Sequence, residues 1–237
     1  MNAPPLLYYG DDFTGATDAL ATAARAGLRS LLLFEAPDAP RLEALGALDC
    51  LGIAGAARSM NPHEMGDELA PIAALARRIA PRVLHYKTCS TFDSAPDVGS
   101  IGEAIRLLQP AMASDWVALV GGQPNLGRHC LFGNLFAAAG SGGTVHRIDR
   151  HPTMSRHPVT PMHEADLRLH LAGQGMADVQ SLPYPVYANG GPALQGAFEA
   201  LVAAAPGALL LDVAENAHLQ AIGGLLGPRA ETASLLA

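Results

Sequence analysis

Short apolar runs alternate with stretches of helical periodicity along most of this 237-residue chain. This alternation restricts the fold more than any other feature of the sequence. Because the apolar runs are short and nearly continuous, we expect strands that are buried on both faces of a sheet. Strands that alternate with helices through short connections are typical of right-handed βαβ units. The sequence therefore predicts an α/β fold, with an open, mostly parallel, Rossmann-like sheet and helices on both faces.

The predicted elements follow one another in regular order. The strands are predicted over Leu6–Tyr9, Ser30–Phe34, Asp49–Ile53, Val83–Tyr86, Trp116–Val120, Val145–Ile148 and Leu209–Val213. The helices are predicted over Thr14–Arg25, Pro62–Ile79, Gly99–Leu108, Glu164–Leu171, Ala193–Ala204 and Asn216–Leu226. The length fits one large domain or two small ones, and we predict a single α/β substrate-binding domain over residues 1–237. A sub-lobe or hinge is predicted around residues 140–162, where a Gly-Ser-Gly-Gly stretch precedes a segment without a clear period.

Charge and cysteine content exclude several classes of protein. The net charge is −7 and no basic run exists, so nucleic acid is not an expected partner. Cys50, Cys89 and Cys130 form no Cys-x-x-Cys pair, so neither a zinc site nor a disulfide framework is predicted. No signal peptide and no apolar run near ~20 residues is found, so we expect a cytoplasmic protein without a membrane partner. A small molecule is the expected ligand, and the sequence leaves the oligomeric state open, a homodimer included.

Two adjacent carboxylates, Asp11 and Asp12, follow the first predicted strand. In an open parallel sheet, ligands bind beyond the carboxyl ends of the strands. Neighbouring carboxylates are costly to bury because each raises the pKa of the other, and helix capping explains one of them better than two. Asp12 can accept hydrogen bonds from two neighbouring hydroxyls, which suits a polyol. Thr14 is the predicted N-cap of a helix whose free N–H groups favour a carboxylate or phosphate.

Cationic and hydroxyl side chains follow two later strands. Lys87 stands at a strand end, and Ser90 and Thr91 come three and four residues later, so the three can neutralise an anion and bind its oxygens. Arg58 follows the strand that ends at Ile53 and suits a carboxylate clamp. The alternatives are an ordinary polar turn for Lys87 and a surface ion pair for Arg58. We expect Cys89 to be a small buried side chain rather than a nucleophile.

Two further segments are candidate ligand contacts. Gly122 follows another strand, where a glycine lets the backbone approach a ligand or simply forms a tight turn. Arg156 and His157 lie in a loop rich in arginine and histidine, which suits an anion. His151, His157 and His163 recur every six residues and share no helix face, so no metal site is predicted. Pro161 and His163 suit the start of the following helix.

Together these motifs resemble the N-terminal half of the four-carbon acid sugar kinases. The resemblance rests on four motifs in the expected order: Asp11-Asp12-Phe13-Thr14-Gly15-Ala16-x-Asp18, Lys87-x-x-Ser90-Thr91, Gly127-Arg128 and His157-Pro158-Val159-Thr160-Pro161-Met162. It implies ATP-dependent phosphorylation of threonate, erythronate or 3-oxo-tetronate, with the acid bound by the N-terminal domain and ATP with Mg²⁺ bound by a C-terminal domain. It implies that Asp12, Arg58, Lys87, Ser90 and Thr91 contact the substrate, and that Asp12 orients or deprotonates the accepting hydroxyl.

The sequence also departs from that family. Gly55-Ala56-Ala57-Arg58 replaces the usual Asp-Thr-x-x-Arg, and Phe92-Asp93-Ser94-Ala95 replaces the usual Leu-Arg-Gly-Asn, which indicates a divergent branch with an altered substrate. We expect the nucleotide-binding domain to be missing from this chain, so the chain alone is expected to bind no ATP and transfer no phosphate. The alternative is a standalone, non-catalytic binding protein for a small organic acid.

Overall fold

A computed structural model describes residues 4–232 and 234–237 of the chain. The described residues fold into two compact units. Those within Met1–Cys89, Asp97–Ser114 and Ala230–Ala237 form unit 1, and Ser90–Pro96 with Asp115–Arg229 form unit 2. Residues 140–162, where a hinge was predicted, all lie within unit 2.

The helices and strands alternate in chain order. The strands are β1 (Leu6–Gly10), β2 (Ser30–Leu33), β3 (Cys50–Ala54), β4 (Val83–Lys87), β5 (Val117–Gln123), β6 (Arg128–Leu131), β7 (Asn134–Ala138), β8 (Val145–Arg147), β9 (Val179–Leu182), β10 (Ala208–Asp212) and β11 (Leu235–Leu236). The helices are α1 (Phe13–Arg25), α2 (Ala39–Ala44), α3 (Pro62–Ile79), α4 (Ile101–Leu108), α5 (Leu167–Ala172), α6 (Gly191–Ala203) and α7 (Asn216–Thr232). None of the helices within residues 4–232 is long and apolar enough to cross a membrane.

Unit 1 contains a parallel sheet in the order β2-β3-β1-β4-β11. Tyr8 packs with Ala16 and Ala23 of α1, and its hydroxyl donates to the carbonyl of Ala16 at 3.0 Å. The hydroxyl of the next residue, Tyr9, donates to Glu68 of α3 at 2.7 Å. Because consecutive strand residues point to opposite faces, α1 and α3 cover opposite faces of the sheet. The predicted parallel α/β architecture is confirmed.

Unit 2 contains a mixed sheet. β9, β10 and β5 pair in parallel, and β5 then continues into an antiparallel meander through β6, β7 and β8. The fully buried carboxylate of Asp212, at the end of β10, accepts hydrogen bonds from the backbone of Phe132, Gly133 and Tyr184. This carboxylate therefore fixes the β6–β7 turn to the carboxyl end of the parallel strands.

Several predicted boundaries are wrong for identifiable reasons. The helix predicted over Glu164–Leu171 starts at Leu167 instead, with Asp166 as its N-cap, because the Asp166 carboxylate accepts from the backbone of Arg168 at 3.0 Å. The strand predicted to end at Val120 continues to Gln123, because it pairs with β6. The segment after β8 contains two short 3₁₀ turns, Ile148–Arg150 and Met154–Arg156.

His85 makes the stability of the chain depend on pH. It lies on β4 opposite Tyr8, and burial together with the charge of Lys87 lowers its pKa from 6.5 to about 4. The unfolded chain therefore binds a proton at a higher pH than the folded chain, so acidification from pH 6.5 to pH 4 favours unfolding. We expect the free energy of unfolding to fall by about 2 kcal/mol over this window through His85.

Urea unfolding at pH 7, 5.5 and 4 measures this loss. A His85→Gln variant keeps a polar side chain that does not titrate, so its unfolding free energy is expected to fall less steeply between pH 6.5 and pH 4. The burial of His170 lowers its pKa as well, so part of the slope remains in the variant. Equal slopes in the two proteins would contradict the assignment to His85.

Candidate functional site

The carboxyl ends of three neighbouring parallel strands bring the predicted residues of unit 1 together. In the sheet register, Gly10 at the end of β1 is paired with Ala54 of β3 and Lys87 of β4. The backbone N–H of Asp11 donates to the carbonyl of Lys87 at 3.1 Å, and the N–H of Arg58 donates to the carbonyl of Asp11 at 3.2 Å. Residues that are far apart in the chain are thus fixed by backbone hydrogen bonds around the start of α1.

Asp12 is the N-cap of α1. Its extended backbone lets Oδ1 accept the N–H of Gly15 at 2.5 Å, while Oδ2 lies 2.7 Å from Nη2 of Arg58. The prediction that Thr14 is the N-cap is wrong, because Asp12 begins the helix two residues earlier and Thr14 is an exposed residue of the first turn. The Asp12 and Arg58 side chains remain 22% and 31% exposed, so solvent reaches both partners.

Lys87 lies beside the same helix turn as Asp12. A Cβ atom placed on Gly15 would be 2.8 Å from Oδ1 of Asp12 and 3.6 Å from Nζ of Lys87. The two side chains therefore flank one small space above Gly15, which a larger residue would fill. The ammonium donates to the carbonyl of Thr88 at 2.6 Å. Lys87 is also the only lysine in the sequence.

The two adjacent aspartates have different environments. Asp11 is only 3% exposed, whereas Asp12 reaches solvent. Burial, with further contributions from Asp11, Tyr9 and Glu68, raises the pKa of Tyr86 well above its usual value. Asp11 therefore belongs to the buried layer beneath the site, and Asp12 belongs to its surface.

The structure explains the glycine at position 55, where the sequence departs from the expected family pattern. A Cβ atom on Gly55 would overlap the hydroxyl of Tyr9, so a side chain at this position requires Tyr9 to move.

Phe13 and Phe34 are 56% and 77% exposed and stack with their ring centroids 5.9 Å apart. Phe13 directly follows Asp12, so an exposed apolar pair adjoins the charged residues. Sequence reasoning missed this pair because Phe13 begins α1, whereas Phe34 follows the end of β2.

The remaining predicted residues belong to unit 2. Ser90 is half-buried, while Thr91 is buried and its hydroxyl donates to Asp93 at 2.5 Å. Arg156 is exposed at the end of a 3₁₀ turn, and His157 follows it as a half-buried residue. Nδ1 of His157 accepts the backbone N–H of Thr160 at 3.1 Å.

Gly122 has a packing role. Its φ is +119°, which favours glycine, and an added Cβ would lie 2.7 Å from the carbonyl oxygen of Val213. The close backbone approach that the sequence suggested at Gly122 is thus an approach to Val213 within unit 2. The glycine is needed whether or not a ligand also contacts this backbone.

Cys89 and Cys50 differ in their environments. The prediction that Cys89 is buried is wrong, because it lies half-buried in the turn after β4. Burial raises the pKa of Cys50 to about 11, which disfavours its thiolate at neutral pH.

Residues 4–232 and 234–237 contain no group of three or more His, Cys, Asp or Glu side chains that could hold a metal ion. We assign no metal ligand to this chain.

This fold and these side chains define a class of protein, an α/β binding domain with one carboxylate and two cations at the carboxyl ends of adjacent parallel strands. The profile of the sugar-binding N-terminal domain family matches residues 6–237, and the chain belongs to this family.

Relatives with curated names are kinases of sugar acids. The chain is 50% identical over 169 residues to a 3-oxo-isoapionate kinase of Paraburkholderia graminis, covering 71% of this chain and 36% of the relative. It is 32% identical over 221 residues to a 3-oxo-tetronate kinase of Cupriavidus necator, covering 93% of this chain and 49% of the relative. The chain therefore spans about half the length of these relatives or less.

Solved structures share the fold. A protein from Salmonella typhimurium described as a putative tRNA synthase superposes with a TM-score of 0.84 at 24% identity, covering 98% of this chain and 52% of that protein. A Bordetella bronchiseptica protein with a domain of unknown function, solved as a domain-swapped dimer with bound citrate, superposes with a TM-score of 0.75 at 19% identity over 98% and 52% of the two chains. At these identities the likeness supports the fold alone.

Proposed function

We propose that this chain is the sugar-acid-binding part of an ATP-dependent kinase whose substrate is threonate, erythronate, a 3-oxo-tetronate or a related branched acid. The observation that carries the proposal is the placement of Asp12 beside both Arg58 and Lys87 at the carboxyl ends of three adjacent strands. A hydroxylated acid needs an acceptor for its hydroxyls and cations for its carboxylate, and this group supplies both. The names of the curated relatives support the same substrate class.

Each side chain has a distinct proposed role. Lys87 and Arg58 bind the carboxylate of the substrate through charge-assisted hydrogen bonds. Asp12 uses one oxygen for Gly15 and one for Arg58, and an ionised carboxylate retains further lone pairs for a ligand hydroxyl. It orients that hydroxyl and accepts its proton as phosphate is transferred, a role that typically contributes 10²–10⁴-fold to rate.

ATP and Mg²⁺ are proposed to be held by a separate domain of the full-length protein. When bound there, ATP supplies the γ-phosphoryl group for in-line transfer to the hydroxyl that Asp12 orients. Asp11, Thr14, Ser90, Thr91, Gly122, Arg156 and His157 remain predicted substrate contacts. A homodimer also remains a prediction.

Thermal-shift and calorimetric titrations of the chain test the proposal. Threonate, erythronate or citrate at about 100 times the dissociation constant should stabilise the chain by about 2.7 kcal/mol, and the uncharged polyol threitol should stabilise it much less. ATP with Mg²⁺ should not bind. Binding of ATP at micromolar concentration, or failure of every hydroxylated acid to bind, would contradict the proposal.

Phosphate transfer by the full-length protein separates the kinase from its alternative. A four-carbon acid that is phosphorylated by the full-length protein and bound by this chain supports the kinase. Binding of the acid by this chain without phosphorylation by any longer form would favour a non-catalytic binding protein.

A further inference from the structure

The turn Thr91–Ser94 of unit 2 is strained and buried. Phe92 has a φ of +54°, in the left-handed region that residues other than glycine rarely adopt. Its carbonyl accepts the hydroxyl of Ser94 at 2.9 Å, and Ser94 is held in turn by Nε2 of His170 at 2.9 Å and by Gln174 at 2.8 Å. Strained residues persist only where their surroundings fix them, and they cluster at functional sites. The turn is therefore a rigid element that presents its neighbours in defined positions.

This turn holds a buried carboxylate between two hydroxyls. Asp93 is 5% exposed, and its two oxygens accept from Thr91 at 2.5 Å and from Thr160 at 3.3 Å. Burying a carboxylate costs free energy that neutral hydroxyls offset only in part. Asp93 lies 67 residues before Thr160 in the chain, so it fixes the loop that carries His157 to the strained turn.

Thr160 connects Asp93 to the ring of His157. The backbone N–H of Thr160 donates to Nδ1 of His157 at 3.1 Å, and Oγ1 of Thr160 lies 3.0 Å from the same nitrogen. Because Nδ1 accepts, the neutral imidazole carries its proton on Nε2. Thr160 is 1% exposed, whereas His157 is half-buried.

We propose that Asp93 is a positioning residue that acts through Thr160. Asp93 accepts the single hydroxyl proton of Thr160 and so anchors this residue, whose backbone N–H then holds Nδ1 of His157 as an acceptor. The Nε2–H is thereby a fixed donor to a negatively charged oxygen of the ligand, either a carboxylate or a phosphate oxygen. The identity of the ligand rests on the proposed function, whereas the tautomer of the His157 ring does not.

The tautomer of His157 is measured in the ligand-free chain by long-range ¹H–¹⁵N NMR of the imidazole nitrogens. The wild-type chain should show His157 as a single Nε2–H tautomer. Thr160→Val should give mixed tautomers, because it keeps the backbone N–H but loses the hydroxyl that anchors this residue to Asp93. Asp93→Asn should keep the wild-type pattern, because its amide oxygen can still accept the Thr160 hydroxyl.

Ser94→Ala is the matched control, because it removes a hydroxyl from the same turn without touching Thr160 or His157. It should lower the melting temperature and leave the tautomer of His157 unchanged. A single Nε2–H tautomer in the isosteric Thr160→Val variant would overturn the proposal, and so would a mixture in wild type.

Calorimetry with threonate and, separately, with inorganic phosphate tests the donor role. Thr160→Val should bind the relevant oxyanion roughly tenfold more weakly than wild type. A loss for threonate alone identifies a carboxylate contact, and a loss for phosphate alone identifies a phosphate contact. Unchanged affinity for both would overturn the donor role. If wild type binds no sugar acid, the proposed function fails, while the NMR result still decides whether Asp93 positions the ring.

Discussion

An Asp12→Asn variant is expected to bind threonate about 10- to 150-fold more weakly than the wild-type chain, with almost unchanged stability. The loss corresponds to about 1.5–3 kcal/mol for a hydrogen bond to a charged group. Asparagine caps a helix about as well as aspartate, so the N-terminus of α1 should remain intact. The ion pair with Arg58 is partly exposed, and its loss should cost at most about 1 kcal/mol. Calorimetry measures the affinity, and thermal unfolding measures the stability.

The chain offers a matched control for this variant. Asp38 is the N-cap of α2 and accepts the backbone N–H of Arg41 at 2.8 Å, as Asp12 does for α1. Asp38→Asn should therefore leave the affinity for threonate unchanged. Equal affinities for wild type and Asp12→Asn would remove Asp12 from the site.

A Lys87→Met variant should lose affinity for carboxylate ligands by about 1.5–3 kcal/mol, the value of a charge-assisted hydrogen bond. Methionine keeps much of the length of the side chain but removes its charge and its donors. Threitol has the hydroxyls of threonate without its carboxylate, so its affinity should barely change. Calorimetry with both ligands separates the two effects.

One result with the Lys87→Met variant would contradict the proposed contact of Lys87 with the ligand carboxylate. An equal loss for threonate and threitol would show that Lys87 does not contact the carboxylate. Because Lys87 is the only lysine of the chain, amine-selective labelling offers an independent readout. Saturating threonate should slow the labelling of its Nζ in the wild-type chain.

Hydrophobic patterning predicted most of the parallel strands but missed β9 and β11. β1, β3 and β10 consist largely of apolar residues that are buried in the sheet, so a continuous apolar run identified each of them. β6 contains an arginine and a histidine and exists as a strand through its pairing with β5 and β7. That pairing is a tertiary interaction, and no local pattern indicates it.

Part of the candidate site was predicted from the positions of its residues relative to the strand ends. Asp12, Arg58 and Lys87 directly follow strands or lie at their ends, so a rule about sheet edges places them together. Thr14 was predicted as the cap because threonine is a common N-cap, whereas the backbone of Asp12 already has the extended conformation that a cap needs. The contact of Asp93 with Thr160 joins residues 67 positions apart, and only the folded chain reveals it.

A crystal structure of this chain with bound threonate tests the central claim most directly. We expect a ligand hydroxyl within about 3.2 Å of a carboxylate oxygen of Asp12 and a ligand carboxylate oxygen within the same distance of Nζ of Lys87. Threonate bound at a position that contacts neither Asp12 nor Lys87 would contradict it.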